Sequence, residues 1–319
     1  KTIRSIRVVL ADGTILDTSD RASVERFLTE KKHLVDQLVS LRKDIMADSE
    51  LVDLINRKFK IKNTTGYSLN SLVDFEDIVD IINHLFVGSE GTLGFVSEVT
   101  YNCVDDAKYK GCGLLFFGKL TDASKAVVAL AGMSRDVVVA AEMMDYLSLK
   151  SVQQLDEVPD FVRGIPEGTS CILFQSESND EATLDKNLAY IQETLKDIPT
   201  VIPSLYSKDA AEYDKWWVIR KGLLPIAAGI RKPGTTVITE DVCFKIEDFT
   251  SGIEMITELF HKYGFVDSGI IFGHALSGNV HFIITPNFND KTEMDNFTGL
   301  VKEMAERVSA VEGSVKAEH

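Results

Sequence analysis

Two histidines seven residues apart, His274 and His281, stand in the run Gly273-His-Ala-Leu-Ser-Gly-Asn-Val-His281, with an apolar segment entering it and another leaving. A short Ser-Gly-Asn turn between two strands brings both imidazoles to one end of a hairpin. Neutral imidazoles converging there suit zinc or another divalent transition metal. The chain has six histidines (His33, His84, His261, His274, His281 and His319), and a pair so spaced reads equally as ligands or as satisfied structural side chains. A third ligand is needed, and the run Gly313-Ser-Val-Lys-Ala-Glu318-His319 offers one. Glu318 would complete two histidines into a three-ligand site with open positions, as a catalytic metal requires, leaving His319 for proton transfer. The plain alternative for this run is a frayed terminus.

Two further stretches carry chemical potential. Gly88-Ser-Glu-Gly-Thr-Leu-Gly94 has three glycines in seven residues, which permits close approach of backbone to a ligand and equally serves a helix-to-strand turn. Neither a GxGxxG nor a GKS/GKT fingerprint is present, and Gly111-Cys-Gly113 lacks the third glycine, Phe116 standing there instead. Trp216-Trp-Val-Ile-Arg220-Lys221 on an expected helix, with Arg231-Lys232 before a Pro-Gly turn, offers cations to a carboxylate substrate, Arg by its bidentate fork. Ordinary solvation of two helix ends explains the same residues.

The elements that must position these groups follow from hydrophobic period. Ile3 to Leu10 and a second strand from Ile15 flank Asp12-Gly13, a strong hairpin signal. Residues 21–60 have helical spacing, with Leu34, Leu38, Leu41 and Ile45 three to four apart and expected on one face of a surface helix. A helix about Val73–Phe86 and a strand Phe95–Tyr101 precede a polar boundary at 103–110. Beyond it the reading is strand 113–117, helix 122–133, strands 137–143 and 170–177, and helix 180–196. The pattern partly recurs as strand 235–244, helix 246–263, strands 269–272 and 280–285, and helix 291–311. This β-α-β then β-α order points to an α+β chain with a ferredoxin-like antiparallel sheet and helices on one face.

Composition narrows the function. The 319 residues carry 49 Asp plus Glu against 34 Lys plus Arg, and a net charge of −15 argues against nucleic acid or anionic lipid as partner. No apolar run approaches the length of a membrane-spanning helix, and no signal segment opens the chain. Cys103, Cys112, Cys171 and Cys243 are scattered without a CxxC pair, so a cytoplasmic location is the default, peripheral contact with the inner face of a membrane being left to flanking sequence.

Taken in order, these stretches resemble the FAD-linked oxidases and dehydrogenases of the vanillyl-alcohol-oxidase-type flavoprotein superfamily, in particular its D-lactate, glycolate and D-2-hydroxyglutarate dehydrogenase branch. Gly66-Tyr-Ser-Leu69 and Leu85-Phe-Val-Gly-Ser-Glu-Gly-Thr-Leu-Gly-Phe-Val96 are similar to the family's GYDL…LFVGSEGTLGII stretch, which lines the flavin. The two histidine runs resemble its GHxxxGNxH and KxEHG motifs, which hold a divalent metal and present a catalytic histidine. The resemblance implies residues 1–103 as part of a PCMH-type FAD-binding domain with a helical insert at about 21–60, and 104–319 as the FAD-linked oxidase C-terminal (substrate and metal) domain. It further implies a cofactor contact by Gly88, Ser89, Glu90, Gly91, Thr92, Leu93, Gly94, Phe95 and Val96. The metal, zinc by expectation, would sit on His274, His281 and Glu318; His319 is the implied base, Arg220 the partner of the substrate carboxylate, Lys232 a weaker second cation, and Asn279 a contact to substrate or ligand. The implied reaction is oxidation of a D-2-hydroxy acid to the 2-keto acid, with hydride to FAD and electrons passing to a quinone, a cytochrome or an iron–sulfur region. No counterpart of the family's GGGTS-like loop precedes Ile3, and the family's Gly-Thr-Gly-Arg does not follow His319, so the chain is expected to be an inactive fragment of a longer flavin plus iron–sulfur polypeptide. A flavin-free metal hydrolase and a non-catalytic α/β module are the rival readings, and a homo-oligomer is left open.

Overall fold

The computed structural model describes residues 2–155, 158–229 and 231–319, and divides between Asp106 and Ala107 into two units. In the first, β1 (Ile3–Val9) pairs antiparallel with β2 (Ile15–Asp17) on one side and with β3 (Phe95–Tyr101) on the other. Three helices, Arg21–Glu30, Lys32–Ala47 and Ser49–Lys58, fill the interval, and Asp20 and Asp48 cap the first and third by accepting from Ala22 N and Leu51 N. The expected face of the long helix is rotated. Ile45 is buried and Val35 and Leu38 pack on the core, whereas Leu34 and Leu41 stay 39% and 45% exposed on its flank, about 100° around a helix of 3.6 residues per turn from Val35. The helix expected at 73–86 is two, Ser71–Asp74 and Ile78–Leu85, because Asp77 caps a fresh start by accepting from Val79 N and Asp80 N.

The second unit is one seven-stranded sheet of β4 (Tyr109–Phe117), β5 (Ala140–Met144), β6 (Ser170–Ser178), β7 (Leu205–Ser207), β8 (Ile238–Cys243), β9 (Ile270–Gly273) and β10 (Asn279–Ile284), in the order β7-β4-β6-β5-β9-β10-β8 with every pair antiparallel. Strands β4 to β7 make a complete ferredoxin-like β-α-β-β-α-β pass, and β8 to β10 make a second. The two join edge to edge, Met143 opposite Gly273 and Met144 opposite Phe272. In the second pass the fourth-strand position beside β8 is held by a single antiparallel bridge, Cys243 to Ser314. The run that follows the last helix therefore takes the place of a strand.

Alternation along the strands sorts two cores. Leu115, Phe117, Ala141, Met143, Val280 and Phe282 face the helices Leu120–Ala131, Glu181–Leu195, Phe249–Lys262 and Lys291–Ala310. Leu114, Phe116, Met144 and Phe272 face the opposite way, under Leu149, Trp216, Ile219 and Leu223 from helices Tyr146–Val152 and Ala210–Gly229. Helix Ala210–Gly229 is the one expected about Trp216–Lys221, whereas Tyr146–Val152 and the three-residue strand β7 are too short to carry a readable period of their own.

Candidate active site

The site lies on the second face, where the apolar layer gives way to a polar row. In register, His281 on β10 stands opposite Asp241 on β8 and Phe272 on β9, and Phe272 stands opposite Met144 on β5. Val280 and Phe282 point to the first core, so His281 and Asn279 point away from it; Glu142, two residues before Met144, does the same from β5. His274 follows β9 directly, and one turn of 3-10 helix, Ala275–Ser277, returns the chain to β10. Gly278 closes that turn at φ 74°, and a Cβ there would lie 2.1 Å from the Phe244 carbonyl oxygen. Glycine is required twice over, by conformation and by space. Arg135 Nη2 donates to Leu276 O at 2.8 Å and pins the turn from outside.

Three ligand-type side chains converge. His274 Nε2 and His281 Nε2 each lie 3.5 Å from Glu318 Oε2, and the rings meet edge to face with centroids 5.2 Å apart. Ligand atoms of His274, His281 and Glu318 all lie within 4.8 Å of one another. Tetrahedral zinc with bonds of roughly 2.05 Å would place neighbouring ligand atoms about 3.4 Å apart, so this donor set fits such an ion with little movement. A carboxylate stands behind each far nitrogen, at hydrogen-bond distance for one of them: His274 Nδ1 is 2.7 Å from Glu142 Oε1, whereas His281 Nδ1 is 3.9 Å from Asp241 Oδ2. A carboxylate bonded to Nδ1 favours the His274 tautomer whose lone pair is on Nε2. Burial, above all, pushes the His281 imidazole down to about 4, so it is neutral near pH 7, as a metal ligand must be.

Asp241 is fully buried and carries the C-terminal run. Its carboxylate accepts from Asn279 Nδ2 at 3.1 Å, from Ala317 N at 3.0 Å and from Glu318 N at 2.7 Å. Cys243 and Ser314 exchange backbone hydrogen bonds of 2.9 and 2.8 Å just before. Glu318 thus reaches the histidines through a fixed backbone, and the frayed-terminus reading does not describe this run. His319 stacks on His281 with centroids 5.2 Å apart, and Asp241, His281 and His319 form a second group of compatible spacing.

The cations divide. Arg220 Nε donates to Glu142 Oε2 at 2.8 Å, and its guanidinium lies over Phe272, 4.7 Å from the ring centroid, beside the histidines. Lys232 lies in an exposed turn where its carbonyl accepts from Thr235, and none of the contacts described ties its ammonium to the cluster. Asn279 is wholly buried with its amide nitrogen spent on Asp241 and Val242 O, while its Oδ1 has no partner among the described residues. The two carboxylates behind the histidines, Glu142 and Asp241, are site groups that motif reading missed. The signal at Glu142 is an acid inside an apolar strand, and at Asp241 a second acid beside Glu240 in a strand, a type that strands disfavour.

In the first unit, Gly88–Gly94 forms a loop leading into β3, exposed at Gly88 and at Glu90–Thr92 with Ser89 buried, in which Gly88, Glu90 and Gly91 are left-handed at φ 74°, 50° and 79°. A Cβ at Gly91 would meet nothing within 4 Å, so the backbone presents an open surface, and Tyr67 Oη and Thr92 Oγ1 hydrogen-bond at 3.0 Å across it. Glu90 bears the strain of a non-glycine residue in that region. An open, glycine-lined backbone fits one wall of a flat ring such as a flavin.

Comparison with known proteins places this geometry. The family described as FAD linked oxidases, C-terminal domain, matches residues 107–319. Among curated proteins, a glycolate oxidase subunit of Bacillus subtilis is 24% identical, covering 75% of this chain and 48% of its own length. A D-2-hydroxyglutarate–pyruvate transhydrogenase of Saccharomyces cerevisiae is 25% identical, covering 86% and 52%, and a mitochondrial D-lactate dehydrogenase [cytochrome] of Kluyveromyces lactis 24%, covering 96% and 49%. The chain spans about half the length of these relatives. Among solved structures, 4-ethylphenol oxidase from Gulosibacter chungangensis superposes with a TM-score of 0.54 at 12% identity, covering 99% of this chain and 57% of its own, which shows a shared fold.

Proposed function

The chain belongs to the FAD-linked oxidases with this C-terminal domain, and from that premise we propose that it forms part of a flavin-dependent enzyme oxidising a D-2-hydroxy acid to the 2-keto acid with metal assistance. The observation that carries the reading is the convergence of His274, His281 and Glu318 next to Arg220, a cation suited to a substrate carboxylate. The relatives' names, a glycolate oxidase subunit, a D-lactate dehydrogenase and a D-2-hydroxyglutarate transhydrogenase, share the 2-hydroxy acid as substrate class.

FAD, when bound, supplies the hydride acceptor, and a divalent metal, when bound, supplies Lewis acidity at the substrate hydroxyl. His274 and His281 would hold the metal through Nε2 and Glu318 through Oε2. Glu142 would keep the His274 imidazole turned that way, and Asp241 would hold the backbone that carries Glu318. Arg220 would take the substrate carboxylate on its terminal nitrogens, Nε being committed to Glu142. His319 would accept the hydroxyl proton on a ring nitrogen. Asn279 acts through Asp241, as an orienting group, rather than as a substrate contact. Lys232 has no part in this scheme.

Residues 1–103 would be the portion of the FAD-binding domain that contributes Gly88–Val96, and 104–319 the substrate and metal domain. One glycine-lined wall is a partial flavin site, so the 319 residues alone should bind FAD weakly and turn over little. Electrons would leave for a quinone, a cytochrome or an iron–sulfur region. No helix among the described residues is long and apolar enough to cross a membrane, and a cytoplasmic or peripheral inner-face position is part of the proposal.

The test is anaerobic mixing of FAD-saturated protein, extended by its neighbouring FAD-domain sequence, with D-lactate, D-2-hydroxyglutarate or glycolate. Bleaching of the flavin absorption that His319→Gln abolishes is expected. Bleaching by none of them would overturn the assignment.

A further inference from the structure

Glu142 joins an expected metal ligand, His274, to the expected substrate cation, Arg220. Its side chain is 8% exposed and sits in the middle of β5, where Ala141 and Met143 face the first core and Met144 the second. Oε1 meets His274 Nδ1 at 2.7 Å and Oε2 meets Arg220 Nε at 2.8 Å. Arg220 comes from the helix Ala210–Gly229 and His274 from the turn after β9, and among the described hydrogen bonds and ion pairs this acid is what joins them. A buried carboxylate with a cation on one oxygen and an imidazole N–H on the other is a shared acceptor. Whatever draws its charge toward one partner loosens it from the other.

Building on the metal reading above, we infer that Glu142 is a positioning residue that couples occupancy of the metal site to binding of a carboxylate at Arg220. A cation on His274 Nε2 makes the Nδ1 proton a stronger donor and pulls charge density toward Oε1. Arg220 is then held less tightly and its fork is freer for a substrate carboxylate. By linkage the effect is reciprocal: an anion on Arg220 returns Glu142 to His274 and tightens the metal. Each site should therefore raise affinity at the other, at the low end of the roughly 5–150-fold range of such couplings.

The two partners of Glu142 should respond with opposite signs, which a purely structural role would not produce. Zinc affinity is measured by competition with a fluorescent chelator, with and without propionate, a carboxylate that has no hydroxyl to offer the metal, on the wild-type chain and on Glu142→Gln, Arg220→Met, their combination and His281→Ala. Melting curves confirm that each variant folds. Expected results are zinc bound by wild type more tightly with propionate present, about 10–100-fold weaker binding in Glu142→Gln with the propionate effect gone, and tighter binding in Arg220→Met. In the Glu142→Gln background the Arg220→Met change should no longer matter, since a direct charge effect of Arg220 would persist and a relayed one would not. If Glu142→Gln does not fold, Glu142→Asp, whose shorter side chain cannot span both partners, takes its place in the same cycle with Arg220→Met. Zinc lost in His281→Ala but indifferent to Glu142 and Arg220 overturns the coupling and leaves the metal site standing. Absence of zinc from wild type overturns both.

Discussion

Removing the Asp241 carboxylate should disconnect the metal site without unfolding the sheet. The residue is 0% exposed and accepts three hydrogen bonds, from Asn279 Nδ2, Ala317 N and Glu318 N. Bonds to a charged acceptor contribute roughly 1.5–3 kcal/mol each, so three orphaned donors in Asp241→Ala would cost about 5–9 kcal/mol if they all stayed buried. They need not. Ala317 and Glu318 recover water if residues 315–319 peel away, which caps the loss at the free energy of docking that run. A net shift of ~3 kcal/mol toward the undocked form lowers the competent fraction about 100-fold, and the apparent zinc dissociation constant rises by the same factor. Chelator competition reads that factor, hydrogen exchange reads the Glu318 amide, and calorimetry reads the sheet, whose melting should move only a few degrees. Asp241→Asn should fall between, because its amide nitrogen cannot accept from Glu318 N. Zinc affinity within three-fold of wild type together with a still-protected Glu318 amide would refute the reasoning.

Other perturbations follow from single observations. Gly278→Ala forces a Cβ to 2.1 Å from Phe244 O at φ 74°, and a loss of about 3 kcal/mol or more is expected in denaturant melts, with zinc binding lost in parallel. Trp216→Ala empties a buried site between sheet and helix and should destabilise by about 3–5 kcal/mol; a change under 1 kcal/mol would mean the helix Ala210–Gly229 packs differently. Asp145 caps the helix Tyr146–Val152, and its full burial pushes the carboxyl from the ordinary 3.8 up to about 6. The folded protein then keeps a proton that the unfolded chain releases, so stability complete below pH 3.8 declines as pH rises toward 6, by about 3 kcal/mol. Asp145→Asn keeps an acceptor for Ser148 N and should lack that decline; parallel pH–stability curves for the two proteins would contradict it.

How much of this was legible depends on how local the signal is. The recurrence of β-α-β units from 113 to 311 carries the double ferredoxin-like sheet because each strand and helix has its own period. The closing strand β7 has three residues and no period to read, and the fourth strand of the second pass is a bridge at Ser314. Long-range pairing alone makes either one visible. Among the candidate site residues, His274 and His281 are legible from their spacing on a hairpin, and Glu318 from the run 313–319 alone. Glu142 and Asp241 are not, since an acid within a strand is recognised only once its partners, Arg220 and the amides of Ala317 and Glu318, arrive from 75 or more residues away. Lys232 shows the converse: a charge in a suggestive run that the fold leaves in an exposed turn. Leu34 and Leu41 failed through geometry, being one step around the helix from the stripe that Val35, Leu38 and Ile45 bury.

The most direct test of the central claim is X-ray absorption at the zinc edge on the zinc-loaded chain. Two imidazole shells and one carboxylate oxygen at about 2.0–2.2 Å are predicted, with one imidazole lost in His281→Ala and the oxygen environment altered in Glu318→Gln. A sulfur shell, or a spectrum unchanged by both substitutions, would contradict the account.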